Sequence, residues 1–215
     1  MKKDRPMRRS LLKLLLCSGL ACTAPHAQAT SRLTDIKPIP LGNSPVTLHP
    51  SGFPDVTITP LWRENGNAWS YHLYTVTTRD TEQPGRTSLI DTENPDHAGQ
   101  LLDMLQDSPH TGEDAVQTIH FASARINGTP ALLLFVTIRD TGTNPVPQPS
   151  PAHIRVYQLI QGDGEPGSTP FYFAFRTTLI SPVTTCHADI ALSAATKIPF
   201  ARWNGDQAPV PTCPQ

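Results

Sequence analysis

The sequence predicts a mainly β domain, an antiparallel sandwich-like or curved sheet built from hairpins, with one or two short helices. Three observations carry this. Asp55–Trp62 and Trp69–Thr77 alternate with period two: Val56, Ile58 and Trp62 oppose Thr57, Thr59 and Leu61, and Trp69, Tyr71 and Leu73 oppose Ser70, His72, Tyr74 and Val76. Asn-Gly pairs at Asn65-Gly66 and Asn127-Gly128 supply the positive φ angles of hairpin turns. The chain also holds 23 prolines, a density that shortens helices and favours strands with fixed turns.

Residues 1–29 read as a signal peptide rather than as part of the fold. Lys2, Lys3, Arg5, Arg8 and Arg9 form a charged head, and Leu11–Cys22 an apolar core too short for a membrane span. Ala27-Gln28-Ala29 fits small-x-small cleavage. Arg8-Arg9 also fits twin-arginine export, and Cys22 is a lipidation alternative. All routes lead beyond the inner membrane, so a periplasmic location is expected. Residues 30–215 form one β-rich domain of ordinary size. Cleavage removes six of 17 Lys+Arg and one of 18 Asp+Glu, leaving 11 against 17, a net charge of −6. An acidic domain without a basic stripe is a poor ligand for nucleic acid. Cys186 and Cys213 survive cleavage, and two cysteines in an oxidising compartment are expected to pair.

In chain order, Ser31–Pro50 is a polar lead-in with one short strand at Val46–Leu48, and Arg63–Asn67 joins the two alternating runs. Pro60 argues for an edge or a bulge in the first of them. Arg79–Arg86 is a loop and Thr87–Asp91 a short strand. Asn94–Gln106 fits a helix capped by Asp96, with Leu101, Leu102 and Leu105 on one side, although Gly99 weakens it. Ala115–Ala124 and Pro130–Arg139 form a second hairpin. Leu132–Ile138 is apolar in both phases, as a strand covered on both faces would be. Thr141–Pro151 is a proline-rich linker or loop. Ala152–Ile160 and Pro170–Ile180 form a third hairpin, Ala188–Lys197 a short helix, and Pro199–Gln215 a tail.

The chemistry is sparse. No Gly-x-Ser-x-Gly, Ser-x-x-Lys or His-Glu-x-x-His motif is present, and Lys37 and Lys197 are the only mature lysines, so no enzyme is expected. A zinc site would have to draw His72, His120 and His153 from separate strands, and no metal or other cofactor is expected. His187 and Asp189 beside Cys186 outline a thiol site that a disulfide would silence. Thr47–Val56 keeps Gly52, Asp55 and Val56 of a calcium-loop pattern but not its first three ligands. Gly162–Glu165 reads as a turn. Arg63, Glu64, Asn65, Asn67 and Trp69 form the densest polar-aromatic cluster, and it reads in two ways. One is a hairpin locked by its own side-chain hydrogen bonds. The other is a recognition surface, with Trp69 as platform and Arg63 gripping a carboxylate.

GFPDVTI followed by WRENGNAWSYHLYTV resembles the signature of the carbapenem self-resistance (CarG-like) family: an Asp-Gly-x-x-Asp-Leu turn, then Arg-Glu-Asn-x-Asn-Ala-His and a Tyr-rich strand. Arg63, Glu64, Asn65, Asn67 and Ala68 match, and Trp69 stands where His is frequent. Tyr157, Leu159, Cys186, Asp189 and Ile190 are similar to a later family segment, whereas Asn94–Gln106 departs from the family. The resemblance implies a periplasmic protein that protects against a β-lactam by binding rather than hydrolysis, with Arg63, Glu64, Asn67 and Trp69 as candidate binding residues. The alternative is a cell-envelope structural or protein-interaction module without a small-molecule ligand.

Overall fold

The computed structural model describes residues 33–66, 70–80, 83, 85–108, 115–142, 148–165 and 168–200, all within one compact unit, Ser31–Gln215. The expected signal peptide, Asn67, Trp69 and Cys213 lie outside the described residues, and so does the Cys186–Cys213 pairing. Among the described residues no helix is long and apolar enough to cross a membrane.

Among the described residues, twelve strands and one helix follow in order: β1 Leu33–Pro38, β2 Val46–Leu48, β3 Val56–Arg63, β4 Tyr71–Arg79, β5 Thr87–Leu89, β6 Asp91–Glu93, β7 Leu101–Leu102, β8 Leu105–Gln106, β9 Gln117–Ile126, β10 Thr129–Arg139, β11 Ala152–Gln161, β12 Phe171–Ile180 and α1 Ala188–Thr196. They build two open sheets. The larger runs β1-β9-β10-β11-β12-β6-β7; the smaller runs β2-β3-β4-β5, with β8 also on β4. All pairs are antiparallel except β12 with β6.

Alternation in the sequence decides which face each strand buries. Val56 and Ile58 of β3, Tyr74 and Val76 of β4, Phe121 of β9, Leu132 and Leu134 of β10, and Phe173 of β12 meet between the sheets. The opposite phase of β9, β10 and β11 (Ala122, Leu133, Phe135, Ile154) buries against Leu192 of α1 and Phe200. The order is therefore small sheet, large sheet, helix. Leu132–Val136 are all buried because β10 has the core on one face and α1 on the other.

Two turns show how local chemistry sets the register. Asn127 and Gly128 take φ of 50° and 85°, the doubly left-handed geometry of a two-residue turn, and they lock Ile126 opposite Thr129. At Asn65-Gly66 only Gly66 has positive φ (68°), and Arg63 pairs with Tyr71, so this connection is a wider loop than the dipeptide predicts. Pro60 falls where β3 has outrun β2, which pairs only with Val56–Ile58, so its missing N–H costs no ladder bond on that side.

The helix expected over Asn94–Gln106 does not form. Asn94 Oδ1 accepts from the Asp96 N–H at 3.0 Å, and Gly99 takes φ of 78°. Leu101 and Leu102 then pair with β6 in the large sheet, while Leu105 pairs with Tyr74 in the small one. Strand β1 is a further departure: the polar lead-in pairs with β9, with its register shifted between Thr34 and Lys37.

Candidate functional site

The β3–β4 loop is organised by Glu64. Its Oε1 accepts from the Gly66 N–H at 2.7 Å and the Ser70 hydroxyl at 3.1 Å, and its Oε2 from the Trp62 indole N–H at 3.0 Å. The Asn65 N–H donates to Ser70 Oγ, and Arg63 Nε to Asn65 Oδ1 at 3.3 Å. The indole hydrogen bond first, then the Gly66 N–H and Ser70, hold the Glu64 carboxyl below its ordinary range. Glu64 thus spends its oxygens on its own loop, while Arg63 stands exposed. Of the four predicted binding residues, these two are brought together here.

Trp62 is the residue that sequence reasoning missed at this loop. Its phase matches Val56 and Ile58, which argues for the core. Here β3 overhangs, and Trp62 is left 46% exposed with its indole tilted on His72 at 4.7 Å between centroids.

Beneath the indole, histidines pair with aspartates instead of converging. The Asp107 carboxylate accepts the His72 N–H at 2.7 Å and lies 3.2 Å from His72 Nδ1, both residues being buried. His120 Nε2 lies 2.7 Å from Asp189, and His153 Nδ1 2.8 Å from Asp140. His72, His120 and His153 therefore each have their own carboxylate, and no group of three metal-type ligands gathers among the described residues. Burial pushes the Asp189 carboxyl up, but the charge and hydrogen bond of His120, together with the charge of His187, outweigh it and hold the group below its ordinary value. Tyr74 is pushed well up, by burial first and then by Asp107 and Asp189, so it remains a phenol. The Asp189 N–H donates to His187 Nδ1, so His187 caps α1. Cys186 itself is buried.

An apolar concavity lies at the other end of β3, an eight-residue strand away, or about 25 Å. This cleft of about 300 Å³ lies between the β2–β3 turn (Leu48, His49, Phe53) and the β9–β10 hairpin (Ser123, Pro130, Leu132). The Phe53 N–H donates to the Pro50 carbonyl, with Gly52 at φ 84°, a tight turn with glycine at its left-handed position. Phe53 packs edge-on against Phe171 at 5.9 Å, and His49 Nδ1 lies 2.6 Å from Asp55 Oδ1. Sequence reasoning found this turn but not the cleft, which needs β9 and β10 to be brought alongside it.

No protein-family model and no curated protein matches the sequence. Among solved structures, the crystal structure of CarG is similar to this chain with a TM-score of 0.57 and 12% identity. The likeness covers 73% of this chain and 94% of that one, and at that identity it speaks for the fold: two sheets and a helix in a CarG-like arrangement.

Proposed function

We propose that this chain is an exported, non-catalytic protein that protects against a β-lactam of the carbapenem class by binding it. The observation that carries the reading is the CarG-like fold, which spans nearly all of CarG. The Arg63-Glu64-Asn65 and Asn67-Ala68 matches described above accompany it. The proposal includes periplasmic delivery after cleavage at Ala29, a Cys186–Cys213 disulfide and a ligand contact at Arg63, Asn67 and Trp69. Glu64 serves that contact by shaping its loop. The test is expression with its own leader in a carbapenem-sensitive bacterium. Survival should rise, the drug recovered from the periplasm should be chemically intact, and Arg63→Ala should remove the protection without lowering protein level. Drug recovered with its ring opened would overturn the non-catalytic reading, and unchanged survival the protective one.

An interaction module is favoured by a different observation: Leu61 and Trp62 are each 46% exposed beside the part of β3 that β2 leaves unpaired. Loss of partner capture in a Leu61→Ser, Trp62→Ser variant that still protects against the drug would separate the two.

A further inference from the structure

We infer that the cleft between the β2–β3 turn and the β9–β10 hairpin binds a small uncharged molecule: an apolar body carrying one hydroxyl or amide N–H, which His49 receives. Its volume, about 300 Å³, is at the small end of ligand pockets. The body of the site is apolar: Ile39, Leu48, Phe53, Pro130 and Leu132 line it. Its walls are fixed before any ligand arrives. The β9–β10 hairpin is paired to its tip, the Ile39 N–H donates to the Phe121 carbonyl, and Phe53 rests on Phe171.

The polar end decides the ligand class. An ionised aspartate only accepts, so the 2.6 Å contact to Asp55 puts the proton of a neutral His49 on Nδ1. Nε2 is then the acceptor, and it matches a hydroxyl or an amide N–H. Lysine and arginine are absent from the described lining, and His49 is already held by the Asp55 carboxylate, so an anion would find no free counterion there. A cation would compete for a carboxylate already held by His49. An uncharged donor avoids both costs. This site is independent of the β-lactam reading, and its test says nothing about resistance.

The test is two-dimensional NMR of the labelled protein titrated with benzyl alcohol, toluene and benzoate as probes. Benzyl alcohol should saturate, with shifts gathered at Leu48, Phe53 and Leu132. It should bind about fivefold more tightly than toluene, the worth of one net hydrogen bond, and more tightly than benzoate. His49→Ala should erase the preference over toluene and leave toluene binding unchanged. Ser123→Phe, on an exposed strand position of the lining, should lower benzyl alcohol affinity about tenfold by filling the space. If that variant misfolds, Ser51→Trp on the exposed turn takes its place. Benzoate binding as well as benzyl alcohol, no saturable shifts, or a filled cleft that binds like the parent would each overturn the inference.

Discussion

Replacing Arg139 by Met should be among the most damaging single changes available to this fold. Arg139 ends β10 and is 2% exposed. Its guanidinium donates to three main-chain carbonyls: Thr185 at 2.9 Å, Cys186 at 2.7 Å and Gln148 at 2.7 Å. It thereby ties the segment before α1, and the approach to β11, to the large sheet. Methionine keeps the aliphatic stem but none of the donors. A hydrogen bond to a charged group contributes about 1.5–3 kcal/mol, so simple addition over three would give about 5–9 kcal/mol. Two effects reduce that sum: removing the charge relieves its desolvation, and loosened carbonyls turn towards water or each other. The expected loss is about 3–5 kcal/mol, or about 6–20 °C in Tm for a domain of this size. Urea unfolding should show a lower midpoint with an unchanged m value. Arg139→Lys should recover less than half of the loss, because one ammonium cannot serve three spread acceptors as a planar fork does. A loss under about 1 kcal/mol for the Met variant would refute the reasoning and mean that these segments are held by other contacts.

Three other outcomes are expected. Asp189→Asn should cost about 2–4 kcal/mol by leaving His120 without its carboxylate. Because the folded carboxyl of Asp189 lies below its ordinary value, its contribution is complete above that value and is lost as pH falls through the lowered one. Unfolding curves taken into the acid range should therefore be flatter in the Asn variant, and equal slopes would contradict the pairing. Glu64→Gln should speed hydrogen exchange at the Gly66 amide while leaving Tm nearly unchanged, since the loop is exposed; the same sign applies, the parent losing its Gly66 protection only as acid protonates the lowered carboxyl. Thiol titration of the denatured, unreduced mature protein should find no free thiol, and reduction should lower stability by about 3–4 kcal/mol, the entropy of the loop between Cys186 and Cys213.

Much of the fold was legible because period-two patterns and turn residues act locally. Val46–Leu48, both arms of the β9–β10 hairpin and α1 fall where the sequence puts them. The failed helix at Asn94–Gln106 has a physical reason. Leu101, Leu102 and Leu105 make a helical stripe, but the same spacing suits a chain that pairs in one sheet and then crosses to the other, and only the sheets decide between them. At the candidate site, the composition of the Arg63–Asn67 segment was readable, but the hub role of Glu64 was not. Its partners Trp62, Gly66 and Ser70 become neighbours only once the loop closes. The cleft was less legible still, because its two walls lie far apart in sequence. The histidines gave no signal of their pairing, since Asp107 and Asp189 reach His72 and His120 across the fold.

The parallel contact of β6 with β12 bears on how the molecule is assembled. Tyr172 sits opposite Asp91, and Phe173 opposite Thr92, with the whole of β7 through β11 between them in the chain. Hairpins can close as soon as their arms exist, but this pairing must first close a very long loop, and parallel pairs of that kind form late. During synthesis, β6 emerges with an unmet edge and keeps it until the tenth strand after β2 has been made. The nascent chain therefore carries an open sheet edge from the end of β6 at Glu93 until Phe171 opens β12, a surface on which strands of other molecules could join. A holding chaperone that shields the segment around β6 would be most useful in that interval, and shortening the chain before β12 should make the protein prone to aggregate.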